Sequence, residues 1–177
     1  KTKSGNVRFP VSGTLTLNSG SSAIFPFNTV FEGIEVRQAT VQPFCRFENK
    51  RKIYTVFVSV DGIQPEILLK GKIKVLGKGF GIKIIGGNTL VTFRPNEICE
   101  LQVNGRSFLI LPFEIAKNAY LTGETDKYLV ISNAVVLENK DKLSLVTTYP
   151  DSVVLRIYPA IEKISISAGN AVKTISK

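Results

Sequence analysis

Histidine, methionine and tryptophan do not occur in this 177-residue chain, and cysteine occurs only twice. Each absence excludes a chemistry. Without histidine there is no Ser-His-Asp triad, no Cys-His dyad and no imidazole metal ligand. Two cysteines cannot build a four-thiolate zinc site or an ordinary iron–sulfur cubane. No apolar run approaches the ~20 residues of a membrane-spanning helix, and the longest, such as Phe108 to Pro112, are strand-sized. No Asn-x-Ser/Thr acceptor is present, and no phosphate-binding loop ending in Gly-Lys-Ser/Thr. Leu76-Gly77-Lys78-Gly79-Phe80-Gly81 is spaced GxGxG rather than GxGxxG, and no kinase catalytic motif follows it. Acidic residues are mostly isolated and lack calcium-loop spacing. An enzyme is therefore not expected, and neither a cofactor nor a metal is called for. The chain starts at Lys1 with no methionine, so the expectation is a processed product, as a cleaved secretory signal or a trimmed chain would leave.

What is present is β-branched and apolar. The chain holds 18 Ile and 18 Val, and 44% of it is hydrophobic, enough for a real core. Short apolar runs alternate with Gly, Pro, Asn or Asp, the rhythm of an all-β protein. The pattern predicts strands near 7–17, 23–31, 34–42, 53–60, 66–76, 80–85, 89–93, 97–103, 106–111, 128–137, 143–148, 152–158 and 162–167. A short helix is expected over 113–119. Asn104-Gly105 supplies the positive φ angles of a two-residue hairpin turn. That register sets Val103 opposite Arg106, Leu101 opposite Phe108 and Cys99 opposite Ile110. A second hairpin turns at Gly86-Gly87-Asn88. The expected fold is a two-sheet β-sandwich, immunoglobulin-like or jelly-roll, with a closed barrel as the alternative. The expected organisation is an N-terminal extension over 1–20, one sandwich domain over 21–168 and a loose polar tail over 169–177.

Cys45 and Cys99 fall in or beside predicted strands, and a disulfide between them is the expectation for an extracellular sandwich. Two buried free thiols are the alternative. A catalytic thiol is not expected, because no histidine could activate it.

The most informative stretch is NVRFPVSGTLTLN, residues 6–18. Val7, Phe9, Val11, Leu15 and Leu17 alternate with Arg8, Pro10, Ser12, Thr14 and Thr16, and Gly13 interrupts the apolar row. A basic polar lead, KTKSGN, precedes it and SGSS follows. One reading is an ordinary first edge strand that tolerates Pro10. The other is an arm that completes a neighbour's sheet, its main chain giving affinity and its alternate side chains filling pockets. In this the segment resembles the donor strand of secreted pilus subunits, which combines alternating apolar residues with one small residue. The resemblance covers residues 6–18 and the general β-rich, two-cysteine build. It implies an extracellular, homopolymeric filament at the cell surface. Val7, Phe9, Val11, Leu15 and Leu17 would be pocket-filling anchors, with Gly13 where backbones approach closely.

The chain carries 23 Lys and Arg against 14 Asp and Glu, a net charge of +9. Lys50, Arg51 and Lys52 form the one triple run. Lys70, Lys72 and Lys74 would line one face of a strand. These six are the candidate contacts to a polyanion such as an acidic cell-surface ligand. A solvated face protecting a sheet edge is the competing reading. Nucleic acid is disfavoured, because no aromatic residues interleave with the lysines for base stacking. Tyr54, Tyr128, Tyr149 and Tyr158 read more readily as packing residues than as a ligand patch. Function is accordingly expected to be structural: a secreted subunit polymerising head to tail by strand donation. The alternative is a secreted binding module, adhesin or polyanion-binding, or a capsid jelly roll.

Overall fold

The structure is a computed structural model that describes residues 7–20, 22–139, 142–147, 152–168 and 171–176. It is nearly all-β, with several sheets, and is compatible with a β-sandwich. Two compact units divide the chain between Lys117 and Asn118, inside the stretch that the sequence pattern treats as one domain.

Among the described residues the first unit contains ten strands: β1 (Phe27–Phe31), β2 (Ile34–Ala39), β3 (Val41–Asn49), β4 (Lys52–Ser59), β5 (Glu66–Leu69), β6 (Val75–Gly77), β7 (Phe80–Ile85), β8 (Asn88–Phe93), β9 (Cys99–Val103) and β10 (Arg106–Leu111). They form two five-stranded sheets, ordered β1-β2-β5-β8-β7 and β3-β4-β10-β9-β6. Pairing is antiparallel except between β4 and β10, which run parallel from Tyr54 beside Ser107 to Val58 beside Leu111. Both of these central strands are buried on both faces over Tyr54–Ser59 and Ser107–Leu111, which is why they read as near-continuous apolar runs.

Turn chemistry sets the registers. Asn104 (φ 48°) and Gly105 (φ 77°) close β9 onto β10, and Val103–Arg106, Leu101–Phe108 and Cys99–Ile110 face each other as the sequence predicts. Gly86 and Gly87 close the β7–β8 hairpin, with Asn88 already paired to Ile85. The β3–β4 hairpin turns on Lys50 (φ 46°) and Arg51 (φ 64°), two side-chain-bearing residues in a conformation that favours glycine.

One core cluster draws on both sheets. Ile34, Val36, Ile67, Leu69, Val91 and Phe93 come from the first, and Phe57, Leu101, Val103, Phe108 and Ile110 from the second. Phe57 sits at its centre, its ring 5.0 Å from Phe31 and 5.5 Å from Phe108. A one-turn helix, α1 (Phe113–Ala116), follows Pro112.

The second unit holds a three-stranded sheet of β11 (Ala119–Thr122), β12 (Tyr128–Ser132) and β15 (Leu155–Tyr158). It also holds two hairpins, β13 (Val135–Asn139) with β14 (Lys142–Val146) and β16 (Lys163–Ala168) with β17 (Ala171–Ser176). β17 lies within residues 169–177, the stretch expected to be a polar tail. Its backbone pairs along β16, and the connecting Gly169-Asn170 lies outside the described residues.

Two expectations fail. Residues 7–17 form no strand. Pro10 has no N–H to give a ladder, the Val11 and Ser12 amides donate to a side chain, and Gly13 turns the path at φ 74°. The expected strand over 66–76 breaks after Leu69, where Lys70–Lys74 form a loop with Gly71 at φ 82°. Thr89 and Asn88 on β8 bind the amides of Ile73 and Gly71 there and so replace a ladder.

Candidate functional site

Residues 8–18 cross the first unit held by side chains instead of sheet pairing. Phe9 packs its ring 5.2 Å from Phe25 and 4.7 Å from Phe27. The buried Gln38 side chain donates through Nε2 to the Arg8 carbonyl at 2.9 Å. Next along, the Glu66 carboxylate accepts from the Val11 amide at 2.5 Å, from the Ser12 amide at 3.0 Å and from the Ser12 hydroxyl. Beyond Gly13, which lies over Gln64, the Asn18 side chain donates to Asp61 at 3.3 Å.

Glu66 is the focus of this cradle. It opens β5 and is only 2% exposed. Its backbone is fixed by Thr40, whose hydroxyl accepts from the Glu66 amide and whose amide donates to the Glu66 carbonyl. The same hydroxyl donates to the Gln64 carbonyl, and Gln64 Nε2 reaches the Phe93 carbonyl at 2.6 Å. A buried carboxylate is costly unless hydrogen-bonded. Here three donors from the N-terminal segment meet that need.

The apolar side chains of the segment are divided. Phe9 and Val11 are half-buried against the unit, whereas Val7, Leu15 and Leu17 stand 58%, 44% and 40% exposed. The sheet edges are apolar as well. On edge strand β7, Ile82 and Ile84 oppose Val91 and Thr89 yet remain exposed. On edge strand β1, Phe27 and Val30 are exposed. Edges of this kind are templates for pairing with another chain.

The basic residues do not gather as a stripe. Lys70 pairs with Glu35 at 2.5 Å, and Lys72 and Lys74 lie in the loop before β6. Lys50 and Arg51 occupy the β3–β4 turn, and the Lys52 ammonium lies 5.0 Å from the Tyr54 ring, which itself stacks on Phe47. Tyr128 and Tyr158 are half-buried on β12 and β15, and Tyr149 lies outside the described residues.

The expected Cys45–Cys99 disulfide is not formed, and both thiols are free. Their strands lie in one sheet in the order β3-β4-β10-β9. Three strand spacings of ~4.8 Å separate them by roughly 14 Å, about twice the reach of a disulfide. Burial pushes both thiols up from an ordinary 9.0 to about 11, with the Glu97 and Glu100 charges adding to the effect at Cys99. At neutral pH such thiols are protonated and poorly nucleophilic. Among the described residues, no group of three or more His, Cys, Asp or Glu side chains is gathered to hold a metal. No described helix is long and apolar enough to cross a membrane.

The second unit has a broad cleft of about 1220 Å³, walled by Val130, Leu145, Leu155 and Ile157 and also lined by Glu124 and Glu138. Its residues come from several strands, so no contiguous motif announces it. Glu66 was equally hidden. In the sequence it is one carboxylate opening an apolar run, Pro65-Glu66-Ile67-Leu68-Leu69, and that placement is the sole signal. No protein-family model matches this chain, and no curated protein matches it either.

Proposed function

We propose that this chain is a non-enzymatic structural subunit of an extracellular, pilus-like assembly, joined to its neighbours through residues 7–18. One observation carries the reading. The segment alternates apolar and polar residues, makes no ladder bonds on its own unit, and leaves Val7, Leu15 and Leu17 exposed.

Magnitudes narrow how such a contact could work. Full burial of a Val or Leu side chain is worth about 1.5–3 kcal/mol. Three side chains roughly half-exposed could therefore gain about 3 kcal/mol from a partner. Losing the freedom of two separate bodies costs an estimated 4–15 kcal/mol. Apolar burial alone falls short, so a joining segment must also bring backbone hydrogen bonds. Backbone groups that make no ladder on their own unit, such as the Val11 and Ser12 amides and the Arg8 carbonyl, can bring those bonds to a neighbour.

A binding module is the second reading, favoured by the cleft of the second unit. The two separate by a pair of variants. Removal of residues 1–18, and Leu15→Ser/Leu17→Ser in the full chain, should each abolish polymers in electron micrographs and lower the sedimenting mass. Polymers that persist in both variants would overturn the proposal.

A further inference from the structure

We infer that the cradle holding residues 8–18 on their own unit is also the site that receives the same segment from a second copy of the chain. The inference rests on the proposed function and names its receiving site. The contacts that hold the described segment join two parts of one sequence, among them Phe9 to Phe25 and Phe27, the Arg8 carbonyl to Gln38, Val11 and Ser12 to Glu66, and Asn18 to Asp61. A second copy presents identical partners, so an exchanged segment recovers all of them.

The cradle has the character of a built receptor. Glu66 is buried, set in place by Thr40, and satisfied by three donors, the Val11 and Ser12 amides and the Ser12 hydroxyl. An empty cradle must rehydrate that carboxylate, which favours an occupied state, whether the occupant comes from the same chain or another. The connection permits either source. Residues 19–24 run Ser-Gly-Ser-Ser-Ala-Ile, and Gly20 turns at φ 78° with open space around it. Extended, six residues span about 20 Å, which is enough to redirect the segment outward without unfolding β1.

Tethering decides when exchange occurs. A segment on a short linker competes for its own cradle at an effective concentration of about a millimolar. Exchange therefore needs concentrated chain, or contacts made only between copies. Val7, Leu15 and Leu17, exposed on their own unit, are the side chains available for such contacts.

A complementation experiment with full-length chains tests this. Glu66→Gln gives a chain with an intact segment and a poor cradle. Val11→Pro/Ser12→Ala removes an N–H and a hydroxyl and gives an intact cradle with a poor segment. Circular dichroism and thermal melts check that each is folded, and Gln38→Met, which loses the bond to the Arg8 carbonyl, serves as a second cradle variant. Each variant alone should sediment as a monomer. Their equimolar mixture should form a one-to-one dimer. Freed of an internal competitor, it should do so at a concentration about tenfold or more below that at which the unmodified chain assembles. Hydrogen exchange at residues 11 and 12 of the Glu66→Gln chain should slow only in the mixture. If the mixture stays monomeric while the unmodified chain assembles, the receiving site lies elsewhere and the inference falls, leaving the proposed function standing. If neither assembles at any concentration, both fall.

Discussion

Replacing Phe57 by alanine tests the idea that one core joins both five-stranded sheets. Phe57 is fully buried on β4, and its ring meets Phe31 at the end of β1 and Phe108 on β10. Removing a buried phenylalanine ring costs about 3–5 kcal/mol, combining lost transfer energy with the cavity left behind. The two ring pairs add about 0.5–1.5 kcal/mol each where they are well formed. A cost near 4 kcal/mol would remove about a quarter or more of a typical stability of about 5–15 kcal/mol. Urea unfolding followed by far-ultraviolet circular dichroism and by tyrosine fluorescence reads it out; the chain has no tryptophan. Phe44→Ala, at an exposed position on β3, is the control and should change stability by under about 1 kcal/mol. A loss under about 1 kcal/mol for Phe57→Ala would refute a shared core.

Four other outcomes follow from the same structure. Gly77→Ala should destabilise, because Gly77 sits at φ 138° and a Cβ there would meet the Glu100 carbonyl oxygen at 2.7 Å; a melting temperature equal to the parent's would contradict this. Lys50→Asn/Arg51→Gly should stabilise by about 1–2 kcal/mol by relieving two positive φ angles, as read by urea midpoint. Thiol labelling of the native chain should be slow at neutral pH and appear together with unfolding, since both thiols hold their protons to about 11. The folded state keeps those protons longer than the unfolded state, whose thiols ionise near 9.0. Their contribution to stability is therefore complete below pH 9 and declines as pH rises from there towards 11, which alkaline melts would check against a Cys45→Ala/Cys99→Ala chain.

Much of the fold was legible in local chemistry. Asn104-Gly105 dictates its turn, and with it the pairing of Cys99, Leu101 and Val103 with Ile110, Phe108 and Arg106. The apolar runs of β8 and β10 mark strands that are buried almost throughout, and the β-branched Phe80–Ile85 marks a strand that stays largely exposed. Most of β3 was not visible, because Pro43 and the register shift beside Cys45 break its alternation. The parallel β4–β10 pair was not visible either: it joins strands some fifty residues apart in the chain, with no turn to mark it. Residues 7–17 misled for the opposite reason. Their period of two is strict, but the Val11 and Ser12 amides are committed to Glu66, and a side-chain acceptor supplied from residue 66 leaves no trace in the local pattern. The same holds for the site as a whole. The segment stands out in the sequence, whereas Gln38, Thr40, Gln64 and Glu66 acquire meaning only when β2 and β5 bring them together.

Sedimentation velocity of the full chain over a wide concentration range, beside the Leu15→Ser/Leu17→Ser chain, tests most directly whether residues 7–18 join one copy to the next. The mass should climb above 19.4 kDa with concentration in the parent and stay at the monomer value in the variant. A parent that remains a single 19.4 kDa species at every concentration, or a variant that assembles as the parent does, would contradict it.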